Sequence, residues 1–194
     1  MCPCLYSGTQ YNHAIYKTMG ATMPITSALI EQMELRTARF SELQAIPQAF
    51  VDTRIPEHVR DIYNVIGRGV TEDPMLEPAV TAVEGFNVTY IGAEPGKGAA
   101  LHSHLTVEVF VALTGHWIVY WGDEGDGETE LAPMDLVSVP VGVMRGFRNI
   151  SNEHAYLMAI LGGDDAGRVD WAQSVLSRAR DTGLQLDAEG NLLP

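Results

Sequence analysis

Cysteine, basic charge and long apolar runs are all scarce in this chain. Only Cys2 and Cys4 occur, at the N-terminal tip and too close together to staple a fold. They exclude a disulfide framework, read as exposed thiols on a loose end, and suit a reducing compartment. No window holds 18 uninterrupted apolar residues, and the first residues lack a basic region followed by an apolar run. Neither a transmembrane helix nor a signal peptide is expected, and the expectation is a soluble, cytoplasmic protein. Lys plus Arg number 12 against 25 Asp plus Glu, a formal net charge of -13. Such a field repels a phosphate backbone and there is no basic stripe, so nucleic acid and anionic membrane are excluded as partners. Small-molecule ligands remain, because one buried Arg can dominate a pocket whatever the net charge.

What is present is ordinary globular material. The chain has 194 residues, 46% of them hydrophobic and 19% charged. That is enough for one domain with a sizeable core and is not a disordered composition. Residues 1–24 show little periodicity and read as an arm, in which Met19 and Met23 are each candidate starts. Residues 25–78 read as a helical and extended lead-in. Ile30, Met33, Leu35, Ala38 and Leu43 make an imperfect helical stripe over residues 27–43, and Pro47 follows it. A second helix is expected over residues 56–66, where Pro56 suits a first turn and Val59, Ile62, Tyr63 and Ile66 recur at three and four residues.

After Pro78 the character changes. Short runs rich in β-branched and aromatic residues begin at Val80 and Ala82 and continue through Phe86, Val88 and Tyr90; Val107, Val109 and Val111; Trp117, Val119 and Trp121; and residues 136–139 and 155–161. Gly, Pro and acidic clusters separate them, which favours an all-β sandwich or barrel over residues 79–163. The acidic stretch 121–127 lacks the ligand spacing of a calcium loop and reads as a solvated hairpin. Residues 164–194 read as a C-terminal helix, with Val169, Ala172, Val175, Leu176 and Ala179 as its stripe, and a tail after Gly183.

One cluster points at chemistry. On a strand, residues two apart face the same way, so His102, His104 and Glu108 share a face if the segment is extended, with Leu101, Leu105, Val107 and Val109 on the other. Two neutral imidazoles and one hard oxygen suit Fe(II), Mn(II), Ni(II) or Zn(II) and leave positions open for substrate. The competing reading is two strand histidines at a barrel mouth, with Glu108 paired to Arg145. His116 and His154 read as turn residues, and His13 and His58 have no partners in sequence.

Gly96, five residues, His102-x-His104, three residues, Glu108, six residues, Gly115 reproduces the first motif of the cupin superfamily, and Pro140-Val141-Gly142 through Asn149 resembles the second. The resemblance implies a small cupin-type jelly-roll barrel with N-terminal and C-terminal helices packed outside, commonly a homodimer. The second motif departs in two places. Arg145 stands where metal-binding members usually place a histidine, and Met134 stands where a glycine often opens the motif. A guanidinium stays protonated and cannot ligate a metal. Arg145 therefore either anchors an anionic substrate group beside a metal at His102, His104 and Glu108, or pairs directly with Glu108 and fills the metal's space.

Similarity to small single-domain cupins implies a metal-dependent enzyme, first of all an Fe(II) dioxygenase acting on a small anionic aromatic, diketo or hydroxy-acid substrate. In that reading Arg145 and Glu108 serve the chemistry, and Tyr90, Trp117, Phe147 and Tyr156 line the pocket. Met134, Met144 and Met158 fill gaps beside it. Two alternatives stay open: a non-redox isomerase, cyclase or lyase with Zn, Mn or Ni in place of iron, and a non-catalytic module that binds a small carboxylate. The last predicts Arg145 in contact with Glu108 and a narrow pocket.

Overall fold

The computed structural model describes residues 24–81, 83–163 and 167–193. The expected arm apart from Pro24, with Cys2, Cys4, His13, Met19 and Met23, lies outside the described residues, as does Ala82. The chain divides into two units, residues 1–35 and 36–194. In the first, α1 (Ser27–Leu35) is capped by Thr26, whose Oγ1 accepts the N–H of Leu29 at 3.1 Å. The helix expected over residues 27–43 stops at Leu35, and Phe40–Glu42 in the second unit forms only one 3-10 turn. No residue of α1 is buried, so elongation gains no apolar packing.

The second unit is built on antiparallel strands: β1 (Asp61–Ile66), β2 (Phe86–Ala93), β3 (Gly98–Ser103), β4 (Glu108–Ala112), β5 (Trp117–Trp121), β6 (Gly127–Leu131), β7 (Leu136–Val139), β8 (Arg145–Asn149), β9 (Ala155–Gly162) and β10 (Asp170–Trp171). They form two five-stranded sheets, ordered β1-β2-β9-β4-β7 and β10-β3-β8-β5-β6. Helix α2 (Gln173–Asp181) and a small hairpin of β11 (Gln185–Leu186) and β12 (Leu192–Leu193) complete the unit. Both sheets contribute to a single apolar core, in which Phe110 of the first meets Phe147 of the second with ring centroids 5.2 Å apart. This is the expected sandwich of a jelly roll, with strands on both sides of the 79–163 span joining the sheets.

Alternation sorts the side chains of β4 and β9. In β9, Ala155, Leu157, Ala159 and Leu161 are buried while Tyr156, Met158 and Ile160 between them are only partly so. The helix expected over residues 56–66 is overturned. Pro56–His58 is a single 3-10 turn, and β1 pairs along β2, bulging between Asn64 and Ile66. Val59, Ile62 and Ile66 satisfy a helical spacing, but Ile62, Tyr63, Val65 and Ile66 are strand formers, and a partner strand settles the choice.

Met134 adopts φ 75°, the one described non-glycine residue in the left-handed region. It sits in the turn before β7, where Asp135 Oδ2 accepts the N–H of Ala132 at 3.0 Å. Its side chain is 75% exposed, so it fills no gap beside a pocket as expected. The conformation explains why a glycine suits this position.

Candidate metal and ligand site

His102 is the penultimate residue of β3 and His104 follows it by two, so the pleat brings both rings to one side, centroids 5.0 Å apart. The chain then bends through the exposed Leu105 and the half-buried Thr106, and Glu108 opens β4 in the opposite sheet. The expected single extended face is therefore corrected. Imidazoles and carboxylate converge from two sheets, because the bend at residues 105–106 carries the chain across. One ligand atom from each of the three buried residues lies within 4.8 Å of the others.

The surroundings prepare these groups for a cation. His102 Nδ1 lies 2.7 Å from the carbonyl of Ala100, to which it donates, so the ring's Nε2 is left with its lone pair. Ala100 is itself held by Asp52, whose Oδ2 accepts its N–H at 2.9 Å. Burial pushes His102 well below the ordinary histidine range, with the positive charges of its neighbours adding to the effect. His104 falls to about 3, through burial first and the Arg145 guanidinium second, with the Arg168 backbone acting weakly the other way. Both rings are neutral, the form a metal requires. His104 Nε2 stands 3.8 Å from Glu108 Oε2.

Arg145 opens β8 opposite His102 in the register. Its Nε and Nη2 both donate to Glu108 Oε2, at 2.9 and 2.7 Å, and Nη1 donates to the carbonyl of Val143 at 3.2 Å. The two side chains are 1% and 4% exposed. Burial raises the Glu108 carboxyl, and the guanidinium, its counter-charge, pulls the other way. Of the two roles left open for Arg145, direct pairing with Glu108 is the one formed. Both donors share one oxygen, however, and Oε1 accepts no hydrogen bond from the described residues. Two neutral imidazoles and a carboxylate oxygen without a donor fit a divalent ion.

A cavity of about 40 Å³ lies against His102, His104 and Glu108. That is room for roughly three waters. Its wall is mainly apolar and includes Phe50, Trp171 and Phe147. Of the four aromatic residues expected there, only Phe147 reaches it. Tyr90 and Tyr156 face outward onto Phe40, at 6.2 and 5.1 Å between centroids, and Trp117 is fully buried elsewhere in the core. Arg145 and the half-buried Met144 and Met158 are also off this wall.

Two wall residues escaped sequence reasoning. Trp171 in β10 lies 5.1 Å from the His102 ring and donates through Nε1 to Glu72 Oε1 at 2.6 Å. Arg60, just before β1, is buried and donates through Nη1 to both oxygens of Asp52, at 3.0 and 2.9 Å. Neither carries a motif, and Arg60 fell inside the segment read as a helix. His116 and His154 stay away, the first exposed near Glu130 and the second edge-on to Tyr156 with centroids 4.8 Å apart.

No family model and no curated protein matches the sequence. Solved structures do match. The polyketide cyclase RemF from Streptomyces resistomycificus superposes with a TM-score of 0.54 at 13% identity, covering 70% of this chain and 84% of that one. Oxalate oxidase in complex with the substrate analogue glycolate gives 0.50 at 15% identity, covering 70% of this chain and 62% of that one. The fold of this chain is the cupin fold, the double-stranded β-helix. No described helix is long and apolar enough to cross a membrane.

Proposed function

We propose that this chain is a metal-dependent cupin enzyme that holds a divalent ion, Fe(II) before Zn, Mn or Ni, through His102, His104 and Glu108 and oxygenates a small anionic substrate. The observation that carries the reading is the state of the two imidazoles. Both are buried and neutral, and the Ala100 carbonyl fixes the His102 tautomer that leaves Nε2 free toward Glu108. An Fe(II) ion at this site would supply the redox chemistry with dioxygen that no side chain can. The protein's own part is positional. Asp52 holds the Ala100 backbone that orients His102, Arg145 fixes the Glu108 carboxylate, and the apolar wall limits water. The size of the cavity restricts what enters to small groups.

One observation favours a second reading. The Arg145–Glu108 contact and the narrow cavity are what a carboxylate-binding module without metal chemistry would show. Oxygen uptake separates these readings. Protein purified without chelator or immobilised nickel and loaded with Fe(II) is assayed against small hydroxy acids, 2-oxo acids and diketones. The proposal expects oxygen consumption with one class, abolished by His104→Ala. Conversion without oxygen uptake selects the non-redox enzyme, and binding without conversion selects the module.

A further inference from the structure

Arg60 is a buried cation whose hydrogen bonds use only one of its three nitrogens. Nη1 donates to Asp52 Oδ1 and Oδ2, to the carbonyl of His58 at 2.8 Å and to that of Gly98 at 3.4 Å. Nε is buried with no partner, and Nη2 makes no hydrogen bond to any described residue. The side chain is 3% exposed, and its guanidinium carbon lies 5.1 Å from the centroid of the Phe50 ring. Arg60 and Phe50 line the same cavity as His102, His104 and Glu108.

The nitrogens without partners are the Nε–Nη2 edge of the fork, which matches the two oxygens of a carboxylate. An unsatisfied buried donor is costly, and a guanidinium cannot shed its proton to escape that cost. The charges of the site point the same way. Arg145 is balanced by Glu108 and Arg60 by Asp52, so a divalent ion brought to the histidines adds positive charge that an anionic ligand would offset. The anion-anchoring role that the sequence suggests for Arg145 cannot be filled by a guanidinium already committed to Glu108 and absent from the cavity wall.

We propose that the Nε–Nη2 edge of Arg60 binds the carboxylate of a small monocarboxylate seated in this cavity, with the rest of the molecule directed to His102 and His104. The assignment rests on reading the cavity as the ligand site. The small volume limits the ligand to acids of a few heavy atoms, and Asp52 serves as a positioning residue that engages Nη1 and leaves the Nε–Nη2 edge unpaired.

The probe is acetate, compared with isosteric, uncharged acetamide, on the full-length metal-free protein. The Nε–H signal of Arg60 is followed by proton–nitrogen correlation NMR and assigned by its loss in Arg60→Lys. Acetate is expected to shift that signal saturably while acetamide leaves it in place. Arg60→Lys, which keeps the charge near Asp52 but lacks the fork, should bind acetate roughly 10- to 100-fold more weakly by calorimetry. A signal unmoved by acetate, an equal response to acetamide, or undiminished affinity in Arg60→Lys overturns the assignment. Mn(II) binding is measured in parallel on the same preparation. Acetate bound at Arg60 by a chain that takes up no ion keeps this assignment and removes the metalloenzyme reading, whereas ion uptake with a silent Arg60 signal does the reverse.

Discussion

Replacing Arg145 with Met should destabilise the protein by an amount that depends on pH in a way the Glu108 pair dictates. The two side chains are almost wholly buried and 2.7 Å apart, so removing the guanidinium leaves a carboxylate without its counter-charge. Breaking such a pair costs about 3–5 kcal/mol. The carboxyl can limit the loss by taking a proton, which for an ordinary Glu pKa costs about 3.7 kcal/mol at pH 7 and about 1 kcal/mol at pH 5. Arg145→Met should therefore lose about 3–4 kcal/mol at pH 7 and distinctly less at pH 5. The double variant Arg145→Met/Glu108→Leu should lie within about 1–2 kcal/mol of wild type, because a buried pair exchanged for apolar side chains is often neutral. Urea denaturation at both pH values, followed by the fluorescence of the buried Trp117 and Trp171, reads these differences. Equal losses at pH 5 and 7, or a double variant whose loss is the sum of the singles, would refute the reasoning.

Two further outcomes follow from other parts of the fold. Met134→Gly should stabilise by about 0.5–1 kcal/mol, since the left-handed conformation costs a side chain about 1–2 kcal/mol, Gly loses about half of that in chain entropy, and the exposed Met packs on little; a lowered Tm would contradict it. Burial raises Glu72 to about 7, although Trp171 and the Val51 N–H donate to it. The folded state then holds this proton more tightly than the unfolded chain, so its contribution is full below about pH 4.5 and is lost as pH rises through 7. Between pH 5 and 8 that is about 2.5 kcal/mol, which wild type should lose relative to Glu72→Gln. The lowered histidines act with the opposite sign, their contribution present above their unfolded pKa and lost as pH falls below it, so only the difference between wild type and variant is diagnostic. Identical pH slopes would count against the Glu72 account.

The parts of the site that were legible in the sequence are those fixed by local spacing. His102 and His104 are two apart on a strand, and that alone puts their rings on one side. Glu108 joins them as expected but by another route, since nothing in Ser103-His104-Leu105-Thr106 tells a bend from a continuing strand. The pleat puts neighbouring residues of β2 and β9 on opposite faces without saying which one meets the cavity, so the sequence alone assigns Tyr90 and Tyr156 to a wall they do not reach. Residues 56–66 fit a helical and a strand pattern at once, and only pairing with β2, about 25 residues away, decides. Arg60 was illegible because its setting depends on Asp52, Gly98 and the cavity behind β3, contacts that no periodicity carries.

A divalent ion held between two sheets by His102, His104 and Glu108 underlies the proposed activity. Calorimetric titration of chelator-stripped protein with Mn(II), checked by elemental analysis after dialysis, tests it directly. One ion per chain is expected for the wild type, with binding lost in His102→Ala and in His104→Ala. Equal ion content in the wild type and both variants, or none in any of them, would contradict it.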